Sequence, residues 1–201
     1  MRINRRQIGR DIAVWRDRKL GYNEQADRAA LAELRRLAQG PLHEGLDLAR
    51  ALAVPQHAEL RRDIAAELDK ADNHWKGEQS RLRRDFDGWL ACVSGVLALV
   101  REDSRGRLGR ALAGPNAYPE QRFKRLVRLH RPEELLREGQ RLVHMLERRV
   151  PVADLAKLLL FWDPLLWGHS QRRDLALDYY GGGHETLPRK DNEESPKEPA
   201  P

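Results

Sequence analysis

The stretch from Ser104 to Arg131, SRGRLGRALAGPNAYPEQRFKRLVRLHR, sets Arg105, Arg107, Arg110, Arg122, Lys124, Arg125, Arg128 and Arg131 against one acid, Glu120. Arginine presents a planar fork of N–H donors that matches two phosphate oxygens, and lysine adds a compact point charge. The chemistry expected of such a cluster is contact with a polyanion. Phe123, Leu126, Val127 and His130 fall at i, i+3, i+4 and i+7 of a helix, apart from the stripe of Lys124, Arg128 and Arg131. One face is then free to pack while the other meets phosphate, and the turn SRGRLG leads into it.

Other reactive residue types lack partners at a workable spacing. The seven histidines are His43, His57, His74, His130, His144, His169 and His184, and none stands in a His-Glu-x-x-His arrangement. Adjacent His43 and Glu44 would point about 100° apart on a helix, a poor geometry for one metal ion. His130 and His144 fall on apolar stripes and are expected at the edge of a core. The single cysteine, Cys92, sits in WLACVSGVLALV, where a small buried thiol belongs, and one cysteine per chain makes neither a disulfide nor a thiolate metal site. Ser94 has no visible base, and there is no G-x-x-x-x-G-K-[ST] phosphate loop. No catalytic residue, metal or cofactor is expected.

Composition agrees with a binding role. The 201 residues are 40% hydrophobic, enough for an ordinary core, and carry a formal net charge of +6 with a pI near 9.8. From Gly181 onward acids outnumber bases, so the preceding body is more basic than the total. Such a surplus attracts nucleic acid or anionic lipid over long range. Neither a signal core nor an apolar run of membrane-spanning length is present, which points to a reduced, cytoplasmic protein with no membrane partner.

The elements that must position these residues read as helices throughout. Ile8, Ile12 and Trp15 keep helical spacing beneath Arg5, Arg6, Arg10, Arg16 and Arg18, and ADRAALAELRRLAQ forms a second helix ended by Gly40-Pro41. Two shorter helices split at Pro55 fill residues 41–70. A long helix through Leu82, Phe86, Trp89, Val93, Val96 and Val100 becomes nearly all apolar. Past a charged loop at 102–109 come a short helix at 107–113, the basic helix opened by Pro119, PEELLREGQRLVHMLERR, VADLAKLLLFWD and QRRDLALDYY. No segment alternates with the two-residue period of a strand. The fold class expected is all-α: two packed helical bundles, 1–101 and 102–180, forming an elongated basic protein. Residues 181–201 read as a disordered polar, proline-rich tail.

Four blocks carry a resemblance. R-A-x-L-A-x-L-R-R at Arg28 to Arg36, R-L-G-R-A-L-A at Arg107 to Ala113, E-x-R-F-x-R-L-V-R at Glu120 to Arg128 and L-L-x-F-W at Leu158 to Trp162 stand in one order. Together they resemble the small (CasB-type) subunit of the type I-E CRISPR Cascade surveillance complex, over roughly residues 8–180. DPLLWGHS after the Phe-Trp pair departs as an insertion, and the acidic tail departs as well.

The resemblance implies an all-helical, non-catalytic protein present as a pair of copies, in contact with the backbone and large subunits. Its arginine groove would support guide RNA and target DNA pairing and hold the displaced single strand of the R-loop. Carried over residue by residue, with Arg35 and the flanking cations of the basic stretch added, the nucleic-acid-binding set is Arg35, Arg36, Arg81, Arg107, Arg110, Lys124, Arg128, Arg131, Arg141 and Arg173. Arg105, Arg122 and Arg125 are read as solvated or paired. Two rivals keep the helices but change the partner: a protein-only scaffold whose arginines meet acidic subunits, and a helix-turn-helix regulator, for which no recognition helix after a short glycine turn is evident.

Overall fold

A computed structural model describes residues 4–20, 28–39, 55–70, 90, 93–104, 106–114, 118–162 and 168–181. Eight labelled helices run in the order α1 (Arg5–Leu20), α2 (Arg28–Gln39), α3 (Pro55–Lys70), α4 (Leu108–Leu112), α5 (Glu120–Leu126), α6 (Pro132–Met145), α7 (Val152–Leu160) and α8 (Gly168–Gly181). Residues 93–97 are also helical, belonging to the expected apolar helix. The fold is all-α, as the periodicity requires. The segments 41–54 and 71–89, and the tail after Gly181, lie outside the described residues.

Asn4 starts α1 by accepting a hydrogen bond on Oδ1 from the Gln7 amide at 3.1 Å, which satisfies one of the helix's orphan N–H groups. The helix buries Ile8, Ile12, Trp15 and Leu20 and lies along α7, itself buried at Val152, Leu155, Ala156, Leu158, Leu159 and Leu160. Gly9 makes this close crossing possible. A Cβ there would stand 2.5 Å from the Ala153 carbonyl oxygen and 3.1 Å from Lys157 Cβ. Residues 93–100 are buried throughout and meet α6 where Gly139 faces Val96. One core cluster therefore joins α1, α2 and α3 to α6, α7 and α8.

At the surface end of α1, Lys19 and Arg18 reach Glu59 of α3 at 2.8 and 3.1 Å. The Lys19 hydrogen bond holds the Glu59 carboxyl below its usual range against a small opposing burial effect. Arg16 departs from expectation. Its side chain is not on the polar face but 3% exposed, with Nη2 donating to the Val100 carbonyl and Nη1 pairing with Asp17 at 2.6 Å.

Two strands of two residues each, β1 (Glu102–Asp103) and β2 (Arg149–Val150), pair in parallel with Glu102 opposite Arg149. The crossover between them is the α4–α6 segment. Its return turn places Glu147 and Arg148 at φ 53° and 64°, the left-handed region that ordinary side chains rarely adopt. Among the described residues no helix is long and apolar enough to cross a membrane.

Candidate nucleic-acid interface

The basic stretch divides over α4, α5 and the turn into α6. Helix α4 carries Arg107 at its N-cap and Arg110 in its last turn. It lies against α8 because Gly109 has no side chain: a Cβ there would meet Asp178 Cβ at 2.5 Å and the Leu175 carbonyl oxygen at 2.7 Å. That approach sets Arg107 3.4 Å from the Asp178 carboxylate while leaving it 42% exposed. Arg110 is exposed.

Helix α5 buries Phe123 and Leu126 and turns Lys124, Arg122 and Arg125 to solvent. It is shorter than the spacing predicts. Val127 caps it, so Arg128 and Arg131 lie on the turn that follows rather than on a helical face, and His130 is exposed instead of lying over Phe123. The reason is distant in sequence. The Leu129 carbonyl accepts from Trp162 Nε1 at 3.0 Å and from Arg172 Nη2 at 2.6 Å, which draws the chain out of the helix immediately after Arg128. Arg172 also lies over the Trp162 ring, 5.0 Å from its centroid. Arg128 and Arg131 are exposed and make no ion pair with any described residue.

Pro132 opens α6. Its buried stripe runs through Leu135, Leu136, Gly139, Leu142 and Val143, so His144 falls one step past it and is exposed, which corrects the core-edge expectation. Glu138 is buried on this helix. It accepts a hydrogen bond from the Tyr118 hydroxyl and an ion pair from Arg141 at 3.0 Å, so the carboxylate orients Arg141 outward with 58% exposure. Burial, then the Glu138 carboxylate, push the Tyr118 hydroxyl pKa well above its usual value. Arg122 joins the same face, with Nη1 3.5 Å from Met145 Sδ on α6 and its charge felt at Tyr118. Arg122, expected from the sequence to be solvated or paired, owes this place to the α5–α6 packing.

On the other flank of α5, Lys124 pairs with Glu120 at 2.8 Å, and the Tyr180 hydroxyl donates to the same carboxylate at 3.3 Å. The Lys124 hydrogen bond lowers the Glu120 pKa, and Glu120 in turn raises that of Lys124. Phe123 and Tyr179 stack at 3.9 Å with Tyr180 edge-on, and Tyr180 stays 49% exposed beside the basic helix. Tyr180 is not among the residues expected from the sequence, where only its adjacency to Tyr179 at the end of the last helix is visible.

The remaining expected residues are dispersed. Arg36 is exposed on α2 and pairs with Glu33 at 2.6 Å, whereas Arg35 donates from Nε to the Ala98 carbonyl at 2.8 Å and ties α2 to the core. Arg173 is exposed on α8 with Asp174 at 3.9 Å. Arg81 and Arg105 lie outside the described residues. Arg122 and Lys124 thus lie on α5, Arg128 and Arg131 on the turn into α6, Arg141 on α6 itself, and Arg107 and Arg110 at the two ends of α4. Among the described residues no group of His, Cys, Asp and Glu is placed to hold a metal ion.

Comparison with known proteins agrees with this architecture. The family model described as CRISPR-associated protein Cse2 matches residues 30–180, about three quarters of the chain and all four blocks except the first residues of the α2 motif. No curated protein and no solved structure matches. With a match of that extent over an all-helical fold, the chain belongs to the CRISPR-associated Cse2 family and is a structural subunit of a Cascade complex.

Proposed function

We propose that this subunit is a non-catalytic nucleic-acid clamp in the Cascade complex, stabilising guide RNA and target DNA pairing and holding the displaced strand. The observation that carries this reading is the turn of Arg128 and Arg131. Both cations project from a backbone anchored at Leu129 by two donors, and no carboxylate among the described residues neutralises either. Unpaired guanidinium groups suit phosphate, because no ion pair has to be broken before they bind it and their backbone is already fixed.

The surface is built to hold a strand rather than to read it. Its cations sit on several short elements, and Tyr180, bonded to the Glu120 that pairs with Lys124, offers an aromatic face to an unpaired base. Binding by the free protein is then weak and indifferent to sequence, and becomes effective at the high local concentration of the assembled complex. The same reading places the protein in the cytoplasm, with the backbone and large subunits and a second copy of itself as neighbours.

The test is charge reversal at Arg128 and Arg131, as R128E/R131E, in the assembled complex. R-loop lifetime falls at least tenfold while the melting temperature of the subunit is unchanged. An unaltered lifetime would rule out the clamp. If complex assembly fails instead while single-strand binding persists, these arginines serve acidic protein partners.

A further inference from the structure

A second basic feature lies away from α5. A cleft of about 510 Å³ opens between α1, the residues that lead into α4 and the start of α7, lined by Arg6, Arg10, Asp103, Arg107, Asp154 and Lys157 among others. Its two carboxylates are already engaged by the fold. Asp103 accepts from the Val152 amide at 2.9 Å, and Asp154 accepts from the Leu108 amide at 2.9 Å and pairs with Lys157.

That leaves three arginines. Arg6 and Arg10 are exposed, stand at i, i+4 on one face of α1, and make no ion pair with any described residue. Their neighbour Arg5 points elsewhere, donating to Ser170 Oγ at 2.6 Å. Arg107 enters from the opposite wall with only its 3.4 Å contact to Asp178. The geometry is rigid where it matters, because Gly9 lies between Arg6 and Arg10 in sequence and seats α1 directly on the α7 backbone at Ala153.

We infer that this cleft receives a backbone phosphate of a single nucleic-acid strand, with Arg6 and Arg10 as its principal donors and Arg107 shared with the α4 surface. The inference rests on the clamp reading and extends it. Arg6 and Arg10 precede the residues 30–180 that match the Cse2 family, so family membership assigns them no role. Continuity favours a strand over an acidic peptide. Arg107 lines the cleft and also stands at the N-cap of α4, three residues before exposed Arg110, so one strand can run from the cleft onto the α4 surface.

The experiment measures binding of a fluorescent oligothymidylate to the full-length chain across about 50 to 200 mM salt. Wild type, R6A/R10A and R128A/R141A are compared. For single strands each lost phosphate contact reduces the slope of log affinity against log salt by about 0.7, so R6A/R10A, which removes the one phosphate held in the cleft, is expected to lose about 0.7. Both side chains are exposed, and circular dichroism confirms that α1 persists. Ser104→Asp, which adds a carboxylate at the lip, weakens binding in the same direction.

If R6A/R10A and Ser104→Asp keep the wild-type slope while R128A/R141A loses it, the cleft assignment is overturned and the clamp stands. If no variant changes the slope, both fall. A poly-glutamate peptide of matched charge that competes with the oligonucleotide through Arg6 and Arg10 also overturns the assignment, in favour of an acidic protein segment.

Discussion

Glu138 is the residue on which the presentation of Arg141 turns, and Tyr118 is what keeps that carboxylate in place. Tyr118→Phe preserves the ring but withdraws a hydrogen bond from a buried carboxylate, and is expected to cost about 1–3 kcal/mol in urea unfolding at neutral pH. The pH dependence gives a sharper readout. Folding raises the Tyr118 pKa above the ordinary tyrosine value of 10.0, so its contribution to stability is complete below pH 10 and is lost as pH climbs through the raised folded value. Wild type should therefore lose stability above pH 10 more steeply than Y118F, measured by chemical denaturation at increasing pH. Arg16 is a second such residue. R16A leaves the buried Val100 carbonyl without its donor and opens a cavity, with an expected loss of about 2–4 kcal/mol, whereas R16M keeps the volume and loses less.

Among the described elements, α1 and α7 are joined by a close backbone approach at Gly9. Gly9→Ala drives a methyl group against the Ala153 carbonyl, so α1 must shift, and a loss of about 1–3 kcal/mol is expected by thermal unfolding. The return turn into β2 predicts the opposite sign. Glu147→Gly relieves a left-handed backbone at φ 53° and should be neutral to stabilising by up to about 1 kcal/mol even though a charge is lost. Element starts were largely legible because Pro132 and Pro151 stand where α6 and α7 begin, and Pro119 caps α5. The end of α5 was not legible, since Trp162 and Arg172 decide it from a different part of the chain. Nor was the β1–β2 ladder, because two residues cannot display a two-residue period. Arg16 was misplaced for a related reason: a long cation at the margin of an amphipathic stripe becomes buried only when a carbonyl such as that of Val100 waits for it.

For the molecule as a whole, the all-helical class and the clustering of cations at 104–131 followed from composition and spacing. The ion pairs did not. Arg107 meets Asp178 and Arg35 meets the Ala98 carbonyl through folding alone, so a basic sequence overstates the charge available to a ligand. The surface that remains around Arg128, Arg131 and Arg141 should make single-strand binding fall steeply with salt, and a near-flat salt response of the free subunit would contradict it. The α1–α7 pairing also has a consequence in time. Ile8, Ile12 and Trp15 are synthesised well before α7, the helix that lies along them, which follows on the order of ten seconds later at ordinary elongation rates. During that interval the nascent chain carries an uncovered apolar helix, which makes it a client for whatever shields emerging chains at the ribosome, and truncation before α7 should yield aggregates rather than a smaller folded unit.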